Sequence, residues 1–134
     1  MKNYFMAYRF SGETPETLKE RTKVAVEALG RAGISAYCNL HDQKEYQAQG
    51  LSNREIMEKA FAKIDESDGL FVLIASSDKS EGQLMEVGYA FAKGKPIIVA
   101  VQNEAKTYVN ELADQTISWH DLQDLSNQLG TIKL

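Results

Sequence analysis

The sequence has 134 residues, enough for one domain with a real core but too few for two. Its composition of 43% hydrophobic and 25% charged residues excludes a disordered tail, and a single cysteine excludes a disulfide scaffold. A formal net charge of -4 argues against a surface for nucleic acid polymers, which gain affinity from clustered Lys and Arg.

The first half of the chain alternates apolar segments with amphipathic ones. A buried strand is predicted at 4–8, and Thr14-Pro15 predicts the start of a helix because Thr caps free amides and Pro suits the first helical position. That helix is expected to stop at Gly33, before a second strand at 34–38. The polar segment 39–50 has no clear period and is predicted to be a long loop.

The second half continues the same alternation. Ser52 to Glu55 has the spacing of a capping box and predicts a helix, and the wholly apolar 69–75 predicts the central strand. The remaining predicted elements are a helix at 83–93, a strand at 96–101, a short helix at 108–113, a strand at 116–119 and a helix at 121–129. The fold class is therefore α/β: one doubly wound domain over 1–134, with a mostly parallel sheet of about five strands and helices on both faces.

Glu86 is the candidate nucleophile at the sheet edge where ligands bind in such folds. It is predicted in the first turn of the helix that follows a polar loop at 76–82, and unpaired amides at a helix start attract anions. Its neighbours are apolar or small, so its carboxylate could act as nucleophile or general base. From these residues alone, an ordinary acid stabilised by the helix dipole is the favoured interpretation, because acids are common in first helical turns.

The end of the first strand offers further polar groups. Tyr4, Tyr8, Arg9 and Ser11 are expected at the same sheet edge, where they would supply aromatic surface, a cation and a hydroxyl. The alternative for either tyrosine is core packing with a hydrated hydroxyl.

The stretch from Glu86 to Ile97 contains the pattern E-x-G-x-A-x-x-x-G-K-P-I in full. With the strand-one Tyr and the serine and glycine loop before it, this pattern resembles the nucleoside 2-deoxyribosyltransferase family and its relatives that hydrolyse nucleoside 5′-monophosphates. The resemblance extends over about residues 3–112. It implies that Glu86 attacks the anomeric carbon and forms a glycosyl-enzyme, as retaining glycosidases do.

The resemblance also implies roles for the residues around Glu86. Tyr4 and Tyr8 would face the base and sugar, and Arg9, Ser80 and Gly82 would face a 5′-phosphate. The transferases usually carry Asp at the place of Ser80, whereas the nucleotide hydrolases carry Ser, so this position favours a phosphorylated substrate.

Two further positions concern a second acid and a second subunit. The family commonly has an acidic residue at the place of Ala60, and Glu58 is the nearest carboxylate, rotated by about 200° on a helix. Asn110 aligns with the residue that completes a neighbouring subunit's site, which implies a homodimer or larger homo-oligomer. A plain surface Asn is the alternative.

The predicted function is cleavage or transfer of N-glycosidic bonds of nucleosides or nucleotides, leaning to 5′-monophosphate hydrolysis. The alternatives are a free-nucleoside 2-deoxyribosyltransferase and a non-catalytic nucleotide sensor. No cofactor is expected, and His41, His120 and Cys38 are too isolated to bind a metal. The partner is a small-molecule nucleoside or nucleotide. Without an apolar run of ~18 residues we expect no membrane partner and a cytoplasmic protein.

Overall fold

The protein is built on one sheet of five parallel strands, as seen in a computed structural model that describes residues 1–134. The strands are β1 (Lys2–Tyr8), β2 (Ile34–Tyr37), β3 (Gly69–Ile74), β4 (Ile97–Gln102) and β5 (Gln115–Trp119). Their order in the sheet is β2-β1-β3-β4-β5, with every neighbouring pair parallel. β3 is the central strand and is buried along its whole length, as its apolar sequence predicts.

Helices cover both faces of this sheet. They are α1 (Pro15–Arg31), α2 (Gln43–Ala48), α3 (Asn53–Glu66), α4 (Glu81–Ala92) and α5 (Leu122–Gly130), with two 3₁₀ helices at Asn39–Asp42 and Val109–Leu112. One core cluster joins the sheet to α1 and α5, and a second joins it to α3 and α4. The predicted doubly wound α/β fold class is confirmed. None of the helices is long and apolar enough to cross a bilayer.

The helix starts follow the capping residues in the sequence. Thr14 accepts a hydrogen bond from the Thr17 amide at the start of α1. Ser52 and Glu55 make both bonds of the predicted capping box at α3. Ser80 caps α4, which therefore begins two residues earlier than predicted and places Glu86 in its second turn rather than its first.

Residues 39–48 are helical, so the predicted long loop is wrong. The segment has no buried residue and no side-chain cap, which is why its sequence shows no apolar period. Contacts to the sheet hold it instead. The Tyr8 hydroxyl donates to Asn39 Oδ1 at 2.9 Å, and the Tyr37 hydroxyl donates to Asp42.

The amino end of the sheet is closed by the ring of Tyr4. This ring lies against Gly69 so closely that a Cβ at Gly69 would overlap it. Asp68 and Asp114 lie near enough to help burial raise the pKa of Tyr4. Tyr4 is therefore part of the packing at the sheet end opposite to the loops that follow the strands.

Candidate active site

Glu86 lies on the inner face of α4 and is 8% exposed. No basic side chain forms an ion pair with it, and burial alone raises its pKa to about 8. In the ligand-free protein at neutral pH this carboxyl is mostly protonated. A nucleophilic role would require the loss of that proton.

Tyr8 is the aromatic residue that the fold brings to Glu86. It is buried at the end of β1, and this burial raises the pKa of its phenol. The nearby Cys38 and Glu86 raise the pKa further. The phenol therefore stays protonated and acts as a hydrogen-bond donor. Its present acceptor, Asn39, belongs to the helical segment 39–48 and was not anticipated from the sequence.

Gln83 fixes the start of α4 against the sheet. Its side-chain Nε2 donates to the carbonyl oxygen of Ala7 at 3.1 Å and to that of Leu73 at 3.0 Å. These are the penultimate residues of β1 and β3, the two strands on which this end of α4 rests. Gln83 lies one helical turn before Glu86 on the same face, so this pair of bonds sets the position of the carboxyl.

A cleft of about 440 Å³ opens at the amino end of α4. Ser76, Ser77 and Ser80 line it together with Lys79 and Lys106. The Lys106 amide donates to Ser77 Oγ at 2.9 Å, which joins the loop after β4 to the loop after β3. Neither lysine forms an ion pair within the protein.

The first turn of α4 presents free amides beside this cleft. Ser80 Oγ accepts from the Gln83 amide at 3.3 Å, and the amides of Glu81 and Gly82 donate to no protein group. Free amides, hydroxyls and two unpaired ammonium groups together suit an anion. Ser80 lines the cleft and Gly82 lies in the helical turn that follows it, while their contact with a 5′-phosphate stays a prediction.

Arg9 lies beside this cleft but is already paired. Its guanidinium contacts Glu13 at 3.2 Å and Asp78 at 3.6 Å, and Arg21 contacts Glu13 at 3.7 Å. These side chains leave a cavity of only about 10 Å³ between the loops after β1 and β3. A phosphate would have to take the place of Asp78 to reach Arg9.

Ser11 lies in a different cavity. With Phe10, it lines a cleft of about 620 Å³ between the loop after β1 and the helical segment 39–48, opposite His41 and Gln43. Glu86 lines none of these three cavities.

Three predicted site residues are not brought to Glu86. Tyr4 closes the amino end of the sheet, as described above. Glu58 is 61% exposed and pairs with Arg54 at 3.9 Å on the outer face of α3, while Ala60 is buried in the core. Asn110 is half-buried in the second 3₁₀ helix, and its Oδ1 is enclosed without a hydrogen-bond partner. No three His, Cys, Asp or Glu side chains come together in a metal-binding arrangement.

Comparison with known proteins identifies the family of this chain. The family model of nucleoside 2-deoxyribosyltransferase matches residues 7–127. The chain belongs to this family. It is accordingly an enzyme of the deoxyribosyltransferase and N-glycosidase kind, which confirms the resemblance seen in the Glu86 to Ile97 motif. No curated protein sequence matches it.

Three solved structures share its fold. A CMP N-glycosidase, BcmB, from Clostridium botulinum superposes with a TM-score of 0.70 at 18% identity, over 98% of this chain and 100% of that one. A conserved protein from Enterococcus faecalis V583 has a TM-score of 0.67 at 14% identity, over 94% and 96%. A 2-deoxyribosyltransferase from Bacillus psychrosaccharolyticus has a TM-score of 0.63 at 19% identity, over 93% and 90%.

Proposed function

We propose that the protein hydrolyses the N-glycosidic bond of nucleoside or 2′-deoxynucleoside 5′-monophosphates through a covalent glycosyl intermediate on Glu86. One observation carries this proposal: Glu86 is buried on the same helix whose amino end opens on the serine-lined and lysine-flanked cleft. Six residues separate Glu86 from Ser80, which is about 9 Å along a helix. Because helical side chains lean toward the amino end, the Glu86 carboxyl lies closer to Ser80 than this backbone span, so one nucleotide could contact both residues.

The reaction begins with the ionised Glu86. Its carboxylate attacks C1′ on the side opposite the base, a C–O bond forms, and the C1′–N bond breaks with its electron pair going to the base. The base takes up one proton and leaves. Water then attacks C1′ and the ester bond to Glu86 breaks. One proton of the water is lost to solvent and balances the proton that the base took from it, while the oxygen and the second proton stay on C1′ as the hydroxyl of the released sugar 5-phosphate.

Tyr8 and the phosphate cleft contribute to this step by binding. The Tyr8 hydroxyl is a donor next to Glu86, so it can hydrogen-bond to the carboxylate or to a sugar oxygen. Lys79, Lys106 and the amides of α4 would neutralise a phosphate dianion. The fold neighbour named a CMP N-glycosidase also supports a monophosphate substrate.

Two alternatives follow from particular residues. A free-nucleoside 2-deoxyribosyltransferase would leave the two lysines and Ser80 without an anion to bind. A nucleotide sensor without turnover is favoured by Ala60, because a buried alanine stands where the family resemblance implies an acid and exposed Glu58 does not replace it.

One assay separates these functions. The protein is incubated with deoxynucleosides and their 5′-monophosphates, with and without an acceptor base, and free base is followed by chromatography. Base release from monophosphates alone is expected. Base exchange between free nucleosides indicates the transferase, and a raised melting temperature with every substrate intact indicates the sensor.

The protein is also proposed to form a homodimer through the outer face of α4. Leu84, Met85 and Phe91 are exposed along this face, and Gly88 between them leaves open space for a close approach. The face continues to the phosphate cleft, because Leu84 and the exposed Tyr108 both line that cleft. A second copy packed here would border the active site.

Asn110 lies two residues after the exposed Tyr108, but its Oδ1 is enclosed within the single chain and is not open to a partner. The role of Asn110 in a neighbouring site remains a prediction. Phe91→Lys is expected to convert the dimer to a monomer in sedimentation experiments, whereas Leu134→Lys, at the exposed chain end, is not. A monomeric wild type would refute the dimer.

A further inference from the structure

Gln83 has a side-chain amide whose orientation is fixed by its partners. It is 6% exposed, and its Nε2 donates to two backbone carbonyls, Ala7 O and Leu73 O. A carbonyl oxygen only accepts hydrogen bonds, so the amide nitrogen must face both of them. The amide oxygen, Oε1, is therefore held on the other side.

Oε1 of Gln83 has no donor within the protein. No backbone or side-chain group donates to it, and it does not belong to the sealed, unpaired atoms of the interior. The side chain lines both the 440 Å³ cleft and the small cavity next to it. Oε1 is thus a fixed acceptor that is open to these adjoining cavities, and nearly buried acceptors of this kind are usually satisfied by a ligand or by water.

Its place on α4 is midway between the two ends of the proposed substrate. Ser80 precedes Gln83 by three residues and Glu86 follows it by three, so the three side chains occupy successive turns. With C1′ at Glu86 and the 5′-phosphate at Ser80, Gln83 faces the middle of the sugar. One edge of the sugar ring carries O4′, which can only accept a hydrogen bond. The other edge carries hydroxyl groups, which can donate one.

We propose that Gln83 Oε1 accepts a hydrogen bond from the 3′-hydroxyl of the substrate sugar. An acceptor must pair with a donor, which selects the hydroxyl edge over O4′. Attack opposite the base brings Glu86 to the face that carries this hydroxyl, and the 3′ carbon is the one nearer the phosphate. The inference rests on the proposed function and adds a substrate-binding residue to it.

The test compares two substrates in two proteins. A 2′-deoxynucleoside 5′-monophosphate and its 2′,3′-dideoxy counterpart are assayed with the wild type and with Gln83→Met, which removes the amide at similar length. For the wild type, loss of the 3′-hydroxyl is expected to lower kcat/KM by roughly 10- to 100-fold, because a nearly buried acceptor is left unpaired. In Gln83→Met both substrates are expected to be equally poor.

A purely structural role of Gln83 gives a different pattern. The variant then slows both substrates by the same factor and the wild-type preference for the 3′-hydroxyl persists, which overturns the proposal. Should Gln83→Met fail to fold, the wild type alone still decides. A 3′-fluoro nucleotide cannot donate and is expected to be as poor as the dideoxy compound, and a 3′-fluoro nucleotide as good as the hydroxyl compound overturns the inference.

Titration calorimetry with the same nucleotides separates this inference from the proposed hydrolysis. If the wild type binds nucleotides but releases no base, hydrolysis is refuted, while tighter binding of the 3′-hydroxyl compound still supports Gln83. Binding without this difference overturns the role of Gln83 alone. Absence of any nucleotide binding overturns both.

Discussion

Glu86→Gln is expected to stabilise the protein at alkaline pH while it abolishes turnover. Burial raises the pKa of this carboxyl from 4.5 to about 8. Between these two values the folded protein keeps a proton that the unfolded chain has lost. The stability that the protonated carboxyl contributes is therefore fully present below pH 4.5 and is lost as the pH rises through 8.

The size of this effect follows from the interval between the two pKa values. Each unit corresponds to roughly 1.4 kcal/mol, so the wild type should lose about 4 kcal/mol of unfolding free energy from this group between pH 5 and pH 9. Gln is neutral at both pH values and close to the same shape. The advantage of the variant over the wild type should therefore grow by that amount over the same range.

Urea unfolding followed by circular dichroism at pH 5 and pH 9, at one protein concentration, measures this difference. Glu66→Gln is the matched control, because Glu66 is an exposed carboxylate at the end of α3 and should give the same difference at both pH values. If the difference in unfolding free energy between Glu86→Gln and the wild type does not change with pH, the inference that the Glu86 carboxyl is buried without a compensating partner is refuted. Such a result would not bear on the proposed nucleophilic role of Glu86.

Further outcomes are expected from the same geometry. In a pH–rate profile, kcat/KM should rise with pH and level off only above about 8, because attack needs ionised Glu86. A plateau that is already reached at pH 6 would contradict this expectation. Gly12→Ala should cost roughly 1–2 kcal/mol in thermal unfolding and displace Arg9, because Gly12 has φ +81° and a Cβ would overlap the guanidinium. Gly50→Ala, at φ +67° with open space, should share the backbone strain without the clash. Ser80→Ala should lower the free energy of unfolding by about 1 kcal/mol because it removes the cap of α4. Ser80→Asp keeps the cap, but its negative charge should lower the turnover of monophosphates selectively. If this variant keeps the wild-type preference between nucleotide and nucleoside, the phosphate does not bind at Ser80.

The elements predicted well are those whose cause is local in sequence. The capping box at Ser52 forms both of its bonds because donor and acceptor lie three residues apart. The apolar run of β3 leads directly to a central strand. The family motif likewise lies in one continuous stretch, and it identified the family correctly.

The errors concern contacts between distant parts of the chain. Residues 39–48 are held by Tyr8, 31 positions before Asn39, and the amide of Gln83 binds Ala7 across 76 positions. Neither contact leaves a periodic signal. Tyr4 was expected at the same sheet edge as Tyr8, but four residues of strand span about 13 Å, so Tyr4 lies toward the amino end of β1 and Tyr8 at its carboxyl end.

The helical segment 39–48 should open far more easily than the sheet beneath it. None of its residues is fully buried, with Leu40 only partly buried against the core, and the Tyr8 and Tyr37 hydroxyls supply the side-chain hydrogen bonds that tie it to β1 and β2. Its backbone amides should therefore exchange with solvent deuterium by local unfolding, at a free energy well below that of global unfolding. The amides of β3 should exchange only when the whole domain unfolds. Because Tyr8 is also the neighbour of Glu86, each such opening would free the phenol hydroxyl from Asn39 for another acceptor beside that carboxyl.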